Sequence, residues 1–161
     1  MKSKALLYLI LSLILTSLST FSTNAEQANT SPIQGADHIG LTVSNLEKSK
    51  AFFTNTLGFK ELGKDPSYPA YFLNNGEITV TLWQAEANAT PFDRKKNVGL
   101  HHLAFRVASL EKLNSLYKTL QTTQGVVIEF APENLGKGPT KHMMIREPSG
   151  NRLEFIHRAK R

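Results

Sequence analysis

Three side chains of types that bind metal ions occupy related places in two halves of the sequence. His38 lies in DHIGLTVSNLEK at residues 37–48, and His102 has the same place in HHLAFRVASLEK at residues 101–112. Glu154 lies between two apolar residues of NRLEFIH, where an unpaired charge would be costly to bury. Two imidazoles and one carboxylate form a three-ligand set with vacant positions, which suits catalysis by a divalent cation.

The same residues admit an interpretation without a metal ion. The two histidines would hydrogen-bond to the backbone, and Glu154 would form a salt bridge with Arg106 or Arg152. A histidine repeated at equivalent positions, together with an inward glutamate, favours the metal site. His101 matches Asp37 of the first copy and is predicted to point away from the site, at the surface or strand entry.

The repeat continues beyond the histidines and predicts the elements that position them. Each copy runs into a stretch with apolar residues at helical spacing, followed by three short strand candidates. The strand candidates are FKEL, AYFL and ITVTLW in the first half, and VVIEF, KHMMIR and NRLEFIH in the second. Each half is therefore predicted to be a βαβββ module. Because one module exposes an apolar sheet face, the two must pack together as an α+β domain with a curved, half-open mixed sheet.

Alternation along the strands assigns side chains to two faces. Leu41 and Val43 are predicted to face the helices, so that His38 and Gly40 face the concave side. The concave side also holds the candidates for substrate binding, which are Trp83, Arg106, Thr81 and Met144. Glu154 and His142 are the candidates for catalysis, with His142 as a general base or as a residue that only hydrogen-bonds at the rim.

Capping residues mark the ends of the two predicted helices. Ser44 and Glu47 have the spacing of a capping box in the first copy, whereas the second copy offers Ser109 as its N-cap. Gly58 and Gly125 lie where a glycine commonly ends a helix.

The N-terminal residues have the features of a secretory signal peptide. A short basic lead precedes a run of about fourteen apolar residues, which is too short to span a bilayer, and small residues follow. Residues 1–25 are therefore predicted to be cleaved after Ala25, which implies a periplasmic or secreted protein. A polar leader at 26–35 and a basic tail at 159–161 flank the predicted domain at 36–158, with module 1 at 36–92 and module 2 at 98–158.

Composition restricts the partners and the chemistry. The absence of cysteine excludes disulfides, thiolate metal ligands and cysteine nucleophiles. Without the two lysines of the signal peptide, 17 basic and 13 acidic residues remain, a net charge of about +4. The basic residues are scattered, apart from RKK at 94–96 and the tail, so nucleic-acid binding is not expected. No stable membrane association is expected after cleavage.

The motifs DHIGLTVSNLEKSKAFFTNTLGF, HHLAFRV and EPSGNRLEF resemble the vicinal oxygen chelate superfamily over about residues 36–158. This superfamily includes glyoxalase I, fosfomycin and bleomycin resistance proteins, and extradiol dioxygenases. The resemblance implies paired βαβββ modules, a homodimer, and one divalent metal ion that a small substrate chelates through two adjacent oxygens. Its ligand positions correspond to His38, Thr81, His102 and Glu154, and Fe, Mn, Zn, Ni or Co would suit such a set.

Departures from the family pattern bear on the activity that the resemblance implies. Thr81 stands where glyoxalase I has a carboxylate or amide ligand, Met144 where dioxygenases have a tyrosine, and Gly40 where fosfomycin-resistance enzymes have a threonine. The leading expectation is an exported, metal-dependent, glyoxalase-like (lactoylglutathione lyase-like) lyase or isomerase. The alternatives are an extradiol, catechol-type ring-cleaving dioxygenase and a non-catalytic binding protein of the bleomycin-resistance type.

Overall fold

The computed structural model describes residues 31–33 and 35–159. The chain divides after Gln34, and the unit that begins at Gly35 contains all the helices and strands described here. The predicted signal peptide at 1–25 lies outside the described residues, as do most of the leader and the last two residues of the tail.

Each half of the domain forms one strand, a helix and three further strands, as the repeat predicts. The first module contains β1 (His38–Val43), α1 (Leu46–Ala51), a π-helical segment (Phe52–Thr56), β2 (Lys60–Asp65), β3 (Ala70–Asn74) and β4 (Thr79–Gln84). The second contains β5 (Leu103–Arg106), α2 (Leu110–Thr122), β6 (Val127–Asn134), β7 (Lys141–Arg146) and β8 (Arg152–His157). The predicted α+β fold of two βαβββ modules is confirmed.

Both modules build the same mixed, four-stranded sheet. The strand order is β1-β4-β3-β2 in the first sheet and β5-β8-β7-β6 in the second. The first strand of each module pairs in parallel with the last, and the other neighbours are antiparallel. This pairing brings the predicted ligand strands together in equivalent places, because Gly40 is the register partner of Thr81 and Ala104 is the partner of Glu154.

In β1 the predicted division of the strand faces is confirmed by burial. Leu41 and Val43 of β1 are buried, whereas His38, Gly40 and Thr42 are exposed. Apolar residues from both sheets, α1, the π-helical segment and α2 belong to one continuous core cluster. Removing this apolar surface from water is the main favourable contribution to folding.

The helix ends agree with the predictions at two positions and differ at two. Ser109 accepts a hydrogen bond from the Lys112 N–H, and Gly58 adopts positive φ directly after the C-cap Leu57. Gly125 also adopts positive φ, but α2 ends earlier, with Thr123 as its extended C-cap. The predicted capping box at Ser44 is wrong, because the side chain of Asn45 caps α1 by accepting from the Lys48 N–H at 2.9 Å.

The turn between β7 and β8 ties the second module to the first. Ser49 donates from its hydroxyl to Oε2 of buried Glu147 at 2.6 Å, and Asn151 donates from Nδ2 to the Thr42 carbonyl at 3.0 Å. Glu147 also accepts from the backbone N–H and the side chain of Asn151. Within the described part of the chain, no helix is long and apolar enough to span a membrane.

Candidate metal centre

Strand pairing in the second sheet brings two of the three predicted ligands together. Glu154 lies on the central strand β8, and His102 lies immediately before β5, which runs beside it. His102 Nε2 is 3.1 Å from Glu154 Oε2. Glu154 is 8% exposed, so its charge is held in a largely dry environment where only polar partners can compensate for lost water.

A third residue binds the other carboxylate oxygen of Glu154. His142 Nδ1 lies 2.5 Å from Glu154 Oε1, and both side chains are mostly buried. His142 belongs to β7, the antiparallel neighbour of β8, and its register partner is two residues beyond Glu154. The ring of Phe130 covers His142, with the ring centroids 5.0 Å apart. Each oxygen of Glu154 therefore has one imidazole partner.

The separation of the His102 and Glu154 donor atoms suits a shared metal ion. Two ligands that each lie about 2.1 Å from an ion, at tetrahedral or octahedral angles, are themselves about 3.0–3.4 Å apart. The observed 3.1 Å falls in this interval. These two residues have the donor types and the spacing of half a metal site.

The third predicted ligand does not join this pair within one chain. His38 lies at the start of an edge strand of the other sheet, its side chain is 52% exposed, and its Nδ1 is 2.7 Å from Oδ1 of Asp37. No hydrogen bond or ion pair in residues 35–159 links it to His102 or Glu154. In the same residues, no group of three or more His, Asp or Glu side chains could hold a metal ion.

The salt bridge considered for Glu154 in the absence of a metal does not form. Arg152 Nε instead donates to Glu129 Oε2 at 2.6 Å, and Arg146 Nε donates to Glu129 Oε1 at 2.8 Å. Burial alone would raise the pKa of Glu129, but the two guanidinium groups hold it below its ordinary value. The side chain of Arg106 is exposed and forms no hydrogen bond or ion pair with a described residue.

Glu129 is a partly buried charged residue that was not predicted from the sequence. It lies between Ile128 and Phe130 in the stretch VVIEF. The signal that singled out Glu154, a glutamate between two apolar residues of a strand, was equally present there.

His101 lies beside the half-site and points towards a positively charged region. The side chain is exposed, as predicted, but it does not point away from the site, because its Nδ1 is 2.9 Å from Nδ1 of His102. Desolvation, together with the charges of Arg152, His102 and Arg94, lowers the pKa of His101 below its ordinary value.

The polar face of the first sheet is lined by threonine and aromatic side chains. Trp83 donates from Nε1 to the hydroxyl of buried Thr81 at 2.8 Å, and its ring packs against Tyr68 and Phe72. A side chain at Gly40 would place its Cβ 3.4 Å from Thr81 Oγ1. Thr81, which the resemblance predicts at a fourth ligand position, therefore holds the Trp83 indole through its hydroxyl oxygen.

Met144 belongs to the second sheet, where it is the register partner of Glu154. Its side chain is buried, so it forms an apolar floor beside the carboxylate. Of the residues assigned to substrate binding, Thr81 and Trp83 are brought together by the structure, whereas Met144 lies in the other sheet and Arg106 is separate and exposed.

Comparison with known proteins agrees with this fold. Residues 35–155 match the family model described as the Glyoxalase/Bleomycin resistance protein/Dioxygenase superfamily. A solved glyoxylase/bleomycin resistance protein/dioxygenase domain from Frankia sp. EAN1pec is 25% identical, with a TM-score of 0.69 over 80% of this chain and 94% of that chain. A lactoylglutathione lyase from Agrobacterium tumefaciens has the same fold at 17% identity, with a TM-score of 0.61 over 79% of this chain and 96% of the other.

Curated relatives with different activities have similar levels of identity. Biphenyl-2,3-diol 1,2-dioxygenase of Paraburkholderia xenovorans (strain LB400) is 30% identical over 76% of this chain, which spans only 40% of that protein. The metallothiol transferase FosB of Lysinibacillus sphaericus (strain C3-41) is 28% identical over 76% of this chain and 82% of the relative.

Proposed function

Because this chain belongs to the Glyoxalase/Bleomycin resistance protein/Dioxygenase superfamily, we propose that it is a divalent-metal-dependent enzyme acting on a small substrate with two adjacent oxygens. His102 and Glu154 would hold the ion together with His38. The observation that carries the proposal is the 3.1 Å separation of His102 Nε2 and Glu154 Oε2, a direct contact in this structure whose length also equals the spacing of adjacent ligands of one ion.

A second copy of the chain would supply the missing imidazole. His38 is half-exposed at a sheet edge and lacks a bond to the half-site of its own chain, so it is accessible to another molecule. A symmetric dimer in which each His38 reaches the partner's half-site would form two complete sites. The proposed homodimer is therefore a requirement of the site.

His142 would hold Glu154 in place. By hydrogen-bonding to Oε1, it would direct Oε2 towards His102. When bound, a divalent ion at this position supplies Lewis-acid stabilisation of negative charge that develops on a substrate oxygen. The buried side chain of Met144 excludes water from one side of the carboxylate.

A lyase or isomerase reaction of the glyoxalase type is the first candidate chemistry. It needs a group that accepts and returns a proton near the substrate, and the His142–Glu154 pair is such a group. The dioxygenase tyrosine position is occupied by Met144, which has no acidic proton to offer.

Ring cleavage of a catechol-type substrate is the second candidate, and Thr81 favours it. Thr81 offers a neutral hydroxyl that already accepts from Trp83, so it is a poorer ligand than the carboxylate or amide that glyoxalase I has there. The aromatic wall formed by Trp83, Phe72 and Tyr68 also suits a flat aromatic ring.

Residues 1–25 support the further proposal that the enzyme acts outside the cytoplasm, in the periplasm or after secretion. N-terminal sequencing of the protein recovered from an expressing cell's periplasm or medium tests this part separately. A mature chain that begins at Glu26 is the expected result. Recovery of the uncleaved chain from the cytoplasm would contradict it.

The shared metal site is tested by mixing two inactive variants. His38→Ala and Glu154→Gln chains, each lacking one ligand, would bind little metal alone. Unfolding and refolding them together gives mixed dimers in which one of the two sites has all its ligands. Metal content measured by mass spectrometry on anaerobically purified protein should return towards about one ion per mixed dimer, because one site per dimer is intact. Two copies of the same variant mixed in the same way are the control.

The outcome also separates the competing functions. If metal binding does not return in the mixed dimers, His38 does not complete the site across two chains. If the wild-type protein binds no metal, the remaining candidate function is a binding protein of the bleomycin-resistance type. Oxygen uptake with catechols would favour the dioxygenase, and conversion of α-keto aldehyde adducts without oxygen uptake would favour the lyase or isomerase.

A further inference from the structure

A cleft of about 970 Å³ lies between the two modules, and the segment that connects β4 to β5 forms one wall. Clefts of this volume commonly take small molecules. Its positively charged lining residues come from the connecting segment and from the ends of β7 and β8: Arg94, Lys95, Lys96, Arg146 and Arg152. Among the described lining residues, Asp93 alone carries a carboxylate.

The connecting segment contains a folded turn that fixes the backbone at its charged residues. Asp93 Oδ1 accepts from the Lys95 N–H at 2.9 Å, and the backbone N–H of Asp93 donates to Asn97 Oδ1 at 3.0 Å. The Asn97 N–H donates to the Asp93 carbonyl at 2.8 Å. Gly99 packs so closely on Phe92 that an added Cβ would lie 3.0 Å from the ring. These bonds occupy the Asp93 carboxylate, which also pairs with a lysine of the same turn.

In the opposite wall, two guanidinium groups donate hydrogen bonds to the same carboxylate. Arg146 and Arg152 are register partners across β7 and β8, and both donate from Nε to Glu129. One glutamate cannot neutralise two arginines, so this wall keeps an excess positive charge. The shared carboxylate also holds both side chains in fixed positions.

Arg94 is the cation of the cleft whose guanidinium is open to a ligand. Its side chain is partly buried and forms no hydrogen bond or ion pair with a described residue. No buried side-chain nitrogen or oxygen among the described residues lacks a partner, so the Arg94 guanidinium reaches solvent, where an anion can contact it. The five cations of the cleft face two carboxylates, Asp93 and Glu129, which leaves an excess of three positive charges.

We propose that this cleft is a binding site for a small anionic molecule with a carboxylate or phosphate group. The planar guanidinium of Arg94 matches either group, and the arginines of the opposite wall are already positioned. None of the three proposed metal ligands lines the cleft, but His101 of its lining contacts His102, so the cleft adjoins the proposed metal centre without sharing its ligands.

Isothermal titration of the full-length protein with inorganic phosphate and with succinate, at constant ionic strength in chloride, tests the site. Arg94→Gln removes the guanidinium, Arg94→Lys retains its charge, and Lys118→Gln removes an exposed cation of α2 as the matched control. We expect saturable binding of at least one anion, weakened about tenfold in Arg94→Gln and less in Arg94→Lys. The Lys118→Gln variant should stay within about twofold of the wild type. The anion that binds more tightly identifies the group that the ligand carries.

Two results would overturn the proposal. The first is that neither anion shows saturable binding to the wild type. The second is that Arg94→Gln and Lys118→Gln weaken binding equally, which would indicate diffuse attraction by net charge. Circular dichroism and thermal unfolding of each variant show whether a loss of binding comes from a loss of fold. Metal content, measured on the same samples, should be unchanged in Arg94→Gln.

Discussion

Nδ1 of His142 lies 2.5 Å from Oε1 of Glu154, on the side of the carboxylate away from His102. Sequence alternation places His142 on the correct face of β7 and suggests a general base. The structure adds a specific role, since the bond to Oε1 sets the direction in which Oε2 points. A side chain that orients a ligand affects metal affinity even where it does not contact the ion.

The first prediction follows from this contact. Replacing His142 with Ala should weaken metal binding about 10–100-fold, because Glu154 loses the partner that orients it. Replacing it with Asn should restore much of the affinity, since the amide nitrogen occupies a place similar to Nδ1. Competition with a coloured chelator measures the metal affinity. Equal affinities of the wild type and His142→Ala, or of the Ala and Asn variants, would contradict the assigned role.

The second prediction concerns the contact between the two modules. Glu147 is almost fully buried and accepts hydrogen bonds from Ser49 and Asn151. Glu147→Ala should lower the free energy of unfolding by about 3 kcal/mol, because it leaves buried donors without an acceptor. Urea denaturation followed by circular dichroism measures the change. Glu111→Gln, an exposed substitution on α2, should alter stability by less than about 0.5 kcal/mol.

The third prediction is a pH dependence of stability. In the folded protein the pKa of Glu129 is held below its ordinary value of 4.5 by Arg146 and Arg152, against the opposing effect of burial. A depressed folded-state pKa contributes stability above 4.5 that is lost as the pH falls through the folded-state value. The stability difference between the wild type and Glu129→Gln should therefore be largest above about pH 5 and shrink on acidification.

Urea midpoints between neutral and acidic pH provide the measurement for Glu129. A difference that stays constant with pH would show that the contribution of Glu129 does not depend on its ionisation. The Glu111→Gln variant should follow the wild-type curve at every pH.

The fourth prediction separates two neighbouring residues at the start of α1. Asn45→Ala removes the side chain that accepts from the Lys48 N–H and should cost about 1 kcal/mol. Ser44→Ala, which removes the cap expected from the sequence, should change stability by less than about 0.5 kcal/mol. Thermal or urea unfolding of both variants measures the two effects. A larger effect at Ser44 would contradict the observed start of the helix.

The cap of α1 shows why sequence patterns locate the end of a helix less accurately than the helix itself. Ser44 and Asn45 are both good cap residues, and a pattern alone does not choose between them. The choice depends on Gln84 at the end of β4, whose side chain accepts from the Leu46 N–H and donates to the Ser44 carbonyl. That contact spans about forty residues and exists only after β4 pairs with β1.

The sequence by itself determined the paired βαβββ modules, through its repeat and its local periodicity. It also determined which face of the sheet holds Leu41, Val43, Val80 and Leu82, because side chains alternate along a strand and the apolar face must be buried. Only the tertiary structure decided the partners of the charged residues. It joined His102 and His142 to Glu154, gave Arg146 and Arg152 to Glu129, and left His38 on the other sheet. Alternation limits a residue to one face of one strand, whereas hydrogen bonds depend on the register between strands that lie far apart in the chain.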